Sequence, residues 1–137
     1  MKLYSFTNMY LSDIQKGIQT AHLINAFWKK YSDSDSNEAC QFWNWTFFDE
    51  TIVVLNGGSQ EELEANLDLF SNSFYPFAAF REYMKSLNGA LTVVGISLPE
   101  NFSTREDRDA HIERYANGNG NLSNAKLAEL LNKSRLA

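Results

Sequence analysis

Runs of apolar and β-favouring residues predict four or five strands. Residues 2–8 combine aromatic and β-favouring side chains, and residues 51–56 place four apolar side chains in a row before a glycine turn. The second pattern is typical of a strand buried on both faces. Residues 74–81 and 90–98 are also strand-like. Residues 40–48 alternate imperfectly but are rich in aromatic side chains, so we expect a further strand there, at an edge of the sheet.

A long first helix is predicted from about residue 13 to residue 30. Ser12 and Gln15 form a capping-box pattern, in which side chains satisfy the free amides at a helix start. Apolar residues then recur at helical spacing and predict one apolar face, consisting of Ile14, Ile18, Ala21, Ile24 and Trp28.

Three more helices complete the predicted elements. Ser59 and Glu62 repeat the capping box and open a helix that reaches about Phe70. Residues 104–116 predict a charged helix, and residues 122–137 predict a final amphipathic helix. The side chains expected to face inward are Leu63, Leu67, Phe70, Leu127, Leu130 and Leu131. Strands that alternate with helices indicate an α/β fold, with a single-domain mixed β-sheet of four or five strands covered by helices.

Composition narrows the class of protein. The chain has 137 residues, of which 44% are hydrophobic and 14% aromatic, enough for one domain with a real core. Its net charge of −5 argues against broad, sequence-blind binding of nucleic acid. Cys40 is the single cysteine, and no apolar run has the length of a signal peptide or a membrane span. We therefore expect a cytoplasmic protein that does not bind membranes.

Two histidines and one cysteine give no recognised metal-binding spacing, so neither a metal nor another cofactor is expected. His111 lies among charged residues and is expected to be exposed. His22 is different, because in "IQKGIQTAHL" it occupies a position where an apolar residue would continue the helical pattern. From the spacing alone it is either a histidine at the edge of the core or a residue that faces a ligand.

Three motifs in order resemble one known family. The first helix carries Gln-x-x-His at Gln19 and His22, and "ETIVVLNGGSQEELEANLDLF" supplies a strand, a serine turn and a helix. The third motif is "NGALTVVGISLPE", with Gly89, Thr92 and Val93. Together they resemble the type II peptidyl-tRNA hydrolases, the archaeal and eukaryotic form. The resemblance covers residues 1–100, which leaves residues 101–137 as a helical extension that packs on this domain or on a partner subunit.

The resemblance implies a hydrolase that cleaves the ester between peptide and tRNA, and it implies the roles of particular residues. His22, Glu82 and Thr92 would be catalytic, with Glu82 standing where the family has an Asp-Ala-Gly turn. The family's lysine, four residues before the glutamine, is Gln15 in this chain, and Lys16 follows it. The residues expected to bind substrate are Asn8, Lys16, Gln19 and Lys85.

Two other functions remain open at the level of sequence. The altered lysine and aspartate positions and the acidic charge favour a non-catalytic binding protein of the same fold, which would sequester a nucleotide or an RNA end. Compact viral counter-defence proteins can act in this way, in which case the location would be the host cytoplasm. The aromatic stretch "FWNWTFF" and the last two helices would instead suit a protein-interaction module, and a homodimer is one possibility.

Overall fold

Four strands form one mixed sheet in the computed structural model, which describes residues 1–83 and 89–137. The strands are β1 (Lys2–Asn8), β2 (Ile52–Gly58), β3 (Phe77–Glu82) and β4 (Ala90–Leu98), in the order β2-β1-β4-β3. β1 is parallel to β2 and antiparallel to β4, and β4 is antiparallel to β3. The carboxyl ends of β1, β2 and β3 therefore meet the amino end of β4 at one edge of the sheet, which we call the carboxyl edge.

Within residues 1–83 and 89–137, five α-helices cover the two faces of this sheet. They are α1 (Asp13–Tyr31), α2 (Asn37–Asn44), α3 (Gln60–Ser71), α4 (Arg105–Ala116) and α5 (Leu122–Lys133). One core lies between the sheet and α1 with α2, and the other lies between the sheet and α3 with α5. The predicted mixed α/β class is confirmed. None of the helices in the described part of the chain is long and apolar enough to cross a membrane.

Both predicted capping boxes are present. The Ser12 hydroxyl accepts the Gln15 N–H at 3.2 Å, and the Gln15 side chain accepts the Ser12 N–H at 2.9 Å. Ser59 and Glu62 repeat this reciprocal pair at the start of α3. Because these hydrogen bonds satisfy amides that a helix start leaves free, both helices begin where the sequence predicts.

The strand predicted at residues 40–48 is wrong. This segment is α2 followed by a short π-helix, Trp45–Asp49, and Ser36 caps its start by accepting the Ala39 N–H at 3.1 Å. Its aromatic rings pack as neighbours on a helix: Trp43 stacks on Phe47 with ring centroids 5.6 Å apart. An aromatic spacing that alternates imperfectly fits a helix equally well, and the serine cap decides between the two.

The predicted inward face of α1 is also wrong. Ile14 and Ile18 are 78% and 50% exposed, whereas the buried residues of the helix are Gln19, Thr20, Leu23, Phe27 and Tyr31. The sheet surface beneath α1 carries small and polar residues that select this face. Thr20 forms a 2.8 Å hydrogen bond with the buried Ser5, and Leu23 occupies the space that a side chain at Gly95 would need.

β2 is an edge strand and is not buried on both faces. Ile52 is 40% exposed, and Asn56 is also exposed. The outer edge of β2 is covered by residues 135–137: the Asn56 N–H donates to the Arg135 carbonyl at 2.9 Å and the Ala137 N–H to the Val54 carbonyl at 3.1 Å. Pairing of this kind covers backbone groups that an open sheet edge would expose.

His111 is buried and not exposed as the sequence predicts. Its ring stacks on Phe102 with centroids 4.2 Å apart, and its Nε2 lies 3.1 Å from the Asn101 carbonyl oxygen. Arg114 donates to Nδ1 at 3.1 Å. The two contacts require the neutral ring with the proton on Nε2. A histidine in a charged helix is thus part of the packing between α4 and the segment before it.

Candidate functional site

A β-bulge between β3 and β4 creates the centre of the candidate site. Phe80 pairs with Val93 and Arg81 pairs with Leu91, so Thr92 is an extra residue on β4. Val93 belongs to the core beneath α1, and the Thr92 side chain also reaches α1. A bulge breaks the alternation of side chains along a strand, which allows two consecutive residues to face the same side.

Thr92 and Gln19 are hydrogen-bonded to each other across the space between β4 and α1. The Thr92 hydroxyl donates to Oε1 of Gln19 at 2.7 Å, and it lies 3.4 Å from the Phe80 carbonyl oxygen. Gln19 is only 8% exposed and Thr92 only 4%. Because Oε1 is engaged, the side-chain amide of Gln19 is fixed with its nitrogen as a donor. That nitrogen has no hydrogen-bond partner among residues 1–83 and 89–137.

His22 lies beside this pair, on the flank of α1. It is exposed, and its ring stacks nearly parallel on Phe80, with centroids 4.4 Å apart and an interplanar angle of 7°. Gln19 and His22 are three positions apart and are neighbours on the helix surface. The ring is therefore neither filling the core nor bonded to Gln19, and its nitrogens have no hydrogen-bond partner within the described ranges.

Lys16 lies on the sheet-facing side of α1, one turn before Gln19 and Thr20. Its side chain is 16% exposed, and Nζ is 3.7 Å from Oδ1 of Asp13, which is almost fully exposed. A residue three or four positions before two buried residues shares their side of the helix. Lys16 therefore places a cation on the sheet-facing side of α1, near the start of the helix.

The other residues that the sequence predicts at the site make no direct contact of this kind with Gln19, Thr92 or His22 among the described residues. Asn8 ends β1, and its Oδ1 accepts the Tyr10 N–H at 3.0 Å, which stabilises the turn into α1. Glu82 ends β3, and strand alternation places it on the same sheet face as Phe80. In the part of the chain that the structure describes, no hydrogen bond or ion pair joins Glu82 to His22. Lys85 lies outside the described residues.

An ion pair that sequence reasoning missed lies at the same edge, on the opposite face of the sheet. Arg81 donates to both carboxylate oxygens of Glu64, at 2.8 and 3.1 Å. These hydrogen bonds lower the pKa of Glu64, and the Glu64 carboxylate raises that of Arg81. Gln60 ties the pair to β4, since it donates to Glu64 and accepts the Leu91 N–H at 3.0 Å. No local sequence pattern connects residues this far apart.

The donor set suits hydrogen bonding and proton transfer. Within residues 1–83 and 89–137, no group of three or more histidine, cysteine, aspartate or glutamate side chains could hold a metal ion. Neither a protein-family model nor a curated protein matches this chain. The arrangement of Gln19, Thr92, His22 and Lys16 offers an amide donor, an imidazole and a cation at one edge of the sheet. Groups of these kinds can transfer a proton and stabilise a developing negative charge.

Proposed function

We propose that this chain is a hydrolase that resembles the type II peptidyl-tRNA hydrolases and cleaves the ester between peptide and tRNA. The observation that carries the proposal is the hydrogen bond between Thr92 and Gln19. These residues belong to two of the three motifs that resemble the family, and they are buried in direct contact although 73 positions separate them. A bulge is needed to bring them together, which is the kind of local irregularity found beside active sites.

The chemistry follows from what each group can do. A water oxygen attacks the ester carbonyl carbon while the imidazole of His22 takes the water's proton, and His22 then returns that proton to the departing ribose oxygen. The amide nitrogen of Gln19, held in place by Thr92, donates to the carbonyl oxygen as negative charge develops on it. Lys16 supplies positive charge for that oxygen or for a phosphate of the tRNA end.

The order of the elements supports the proposal. The Gln-x-x-His helix follows the first strand, the Ser59-capped helix follows the second, and the Thr92 strand closes an antiparallel pair. In this proposal residues 1–100 form the catalytic part, and residues 101–137 are an extension that packs on the α3 face of the sheet through Leu127 and Leu131.

A second candidate function is a non-catalytic binding protein of the same fold. It is favoured by the surroundings of His22: among the described residues no carboxylate is hydrogen-bonded to its ring, which stacks on Phe80 instead. A stacked, exposed pair of this kind also suits contact with the flat face of a nucleobase. The protein would then retain a nucleotide or an RNA end without turning it over.

One experiment separates these functions. The full chain is incubated with a peptidyl-tRNA and with a panel of nucleotides, and both released peptide and retained ligand are measured. The hydrolase predicts peptide release that falls by about 10²–10⁴ in His22→Ala, the usual contribution of a general acid or base. Asn25→Ala, an exposed position on the outer side of α1, is the matched control and should leave the rate unchanged.

If the chain retains a ligand but releases no peptide, and His22→Ala loses that retention, the result would support the binding protein and contradict the hydrolase. Release that is unaffected by His22→Ala would contradict the proposed site. If the chain neither releases peptide nor retains any of these ligands, both functions are wrong.

A further inference from the structure

A cavity of about 470 Å³ lies at the carboxyl ends of β1 and β2, on the sheet face opposite α1. Its walls are the end of β1, the last three residues of β2, the first turns of α3 and the end of α5 with the residues that follow it. Phe6, which lines it, belongs to the core on the α3 side, whereas Gln19 and Thr92 lie on the α1 side. The volume falls in the usual range for small-molecule sites.

Two cations line this cavity in a chain whose net charge is −5. Lys133 and Arg135 are exposed, and neither forms an ion pair with any residue in the described ranges. Glu62 is the one acid among the described lining residues, and its Oε1 accepts hydrogen bonds from the backbone and the hydroxyl of Ser59. The charged side chains that line the cavity therefore carry a net positive charge, and one oxygen of the Glu62 carboxylate is engaged by Ser59.

The backbone holds Arg135 at the rim of the cavity. Its carbonyl accepts the Asn56 N–H at 2.9 Å, and one residue before it the Ser134 hydroxyl donates to the Leu130 carbonyl at 2.6 Å. The chain after α5 is thus attached both to the helix and to β2. The backbone of Arg135 is therefore fixed beside the end of β2, and its side chain lines the cavity from there.

Three of the side chains that line the cavity, those of Asn56, Lys133 and Arg135, can donate hydrogen bonds to a ligand. Oδ1 of Asn56 accepts the Gly58 N–H at 2.9 Å, which leaves its amide nitrogen as the group available to a ligand. Lys133 and Arg135 can only donate. Leu130 and the half-exposed Met9 add apolar surface beside these donors. Such a lining suits a molecule with an oxyanion at one end and an apolar part at the other.

We propose that this cavity binds a small organic phosphate of mononucleotide size. The phosphate lies between Lys133 and Arg135, and the organic part packs against Leu130 and Met9. Two cations match a phosphate monoester, which carries close to two negative charges at neutral pH. At the start of α3 the Ser59 and Glu62 N–H groups are engaged in the capping box, and in this proposal the two cationic side chains hold the phosphate. The site lies on the other face of the sheet and does not depend on the proposed hydrolase function.

Isothermal titration calorimetry of the full chain with AMP tests the proposal, with adenosine and inorganic phosphate as separate titrations. AMP should bind more tightly than either of these, since each supplies only part of the ligand. Lys133→Gln and Arg135→Gln should each weaken AMP binding about tenfold, as expected for loss of a charge-assisted hydrogen bond. Lys126→Gln, also exposed and on α5 but outside this cavity, is the matched control and should leave the affinity unchanged.

A second variant tests the shape of the site without changing charge. Ala65 lines the cavity from an exposed position on α3, so Ala65→Leu should fill part of the space and abolish AMP binding while the helix is maintained. Absence of AMP binding to the unmodified chain would overturn the proposal. So would equal weakening by Lys126→Gln and Arg135→Gln, because that result indicates diffuse attraction to surface charge.

Discussion

Thr92 reaches Gln19 only because β4 has one residue more than β3 opposite Phe80. In a regular strand Thr92 and Val93 would face opposite sides of the sheet, and one of them would point away from α1. The bulge turns both toward α1, so Val93 joins the apolar core and Thr92 donates to the glutamine. The irregularity thus produces a buried side-chain hydrogen bond that links the first and third motifs.

Replacing Thr92 with valine should destabilise the fold by about 1–3 kcal/mol, because Oε1 of the buried Gln19 would lose its donor while the shape stays the same. The free energy of unfolding in urea measures this. Thr92→Ser keeps the hydroxyl and is the control, for which we expect a smaller loss. A valine variant as stable as the unmodified chain would show that the hydrogen bond contributes nothing.

Local signals were enough to predict several elements closely. β1 and α1 lie within one residue of the predicted bounds, because a capping box marks the start of α1 and a short turn separates the two. The Ser59 box marks the start of α3 equally well. The prediction for residues 40–48 was wrong, because their aromatic spacing suits both a strand and a helix. The contact that decides for a helix, between Ser36 and Ala39, lies just before the aromatic run.

Less of the candidate site than of the helices and strands could be predicted from the sequence. The resemblance predicts Gln19, His22 and Thr92 as site residues, and in the structure all three lie in the region around Phe80. The bulge itself has no sequence signal, since it depends on how β3 and β4 pair. The prediction of the inward face of α1 was wrong for a related reason. Ile14 and Ile18 are more apolar than Gln19 and Thr20, but the polar partner of Thr20 on β1 determines which side is buried.

His111 should make stability depend on pH just below neutrality. Burial, followed by the charge of Arg114, lowers the pKa of its imidazole from the ordinary value of 6.5. The unfolded chain therefore takes up a proton at a higher pH than the folded chain. The contribution of the neutral ring is fully present above pH 6.5 and is lost as the pH falls from there through the lowered folded-state pKa.

The measurement is the free energy of unfolding of the unmodified chain and of His111→Gln at a series of pH values. Subtracting one free energy of unfolding from the other cancels the contribution of the other titrating groups. This difference in free energy should stay constant above pH 6.5. Below pH 6.5 the unmodified chain should lose stability relative to His111→Gln. A difference that is flat through the acidic range would contradict the lowered pKa.

Leu127 should be among the most sensitive positions in α5. It is 1% exposed and belongs to the core shared with Phe6 and Leu63. Leu127→Ala should cost about 2–5 kcal/mol of unfolding free energy, since it removes buried methyl groups and leaves a cavity. Leu122→Ala, at a 46% exposed position at the start of the same helix, is the control and should have little effect. Equal losses in the two variants would mean that α5 does not dock through this face.

Glu82 gives the sharpest test of how the proposed hydrolase works. Under the proposed resemblance a catalytic aspartate would follow the third strand, and Glu82 is the acid at the end of β3. Within residues 1–83 and 89–137 no hydrogen bond joins Glu82 to His22, whose ring is positioned by stacking on Phe80. We expect a carboxylate that does not hold the base to contribute less than about 1.4 kcal/mol, which corresponds to a tenfold change in rate.

We therefore expect Glu82→Gln to slow release of peptide from peptidyl-tRNA by less than about tenfold, and His22→Ala to slow it by about 10²–10⁴. Phe80→Leu should fall between them, because it keeps the apolar volume but removes the flat surface that orients the imidazole. Glu113→Gln, an exposed acid on α4, controls for the change in net charge. If Glu82→Gln proved as damaging as His22→Ala, the two side chains would act as one unit during catalysis. Stacking on Phe80 would then be insufficient to position His22.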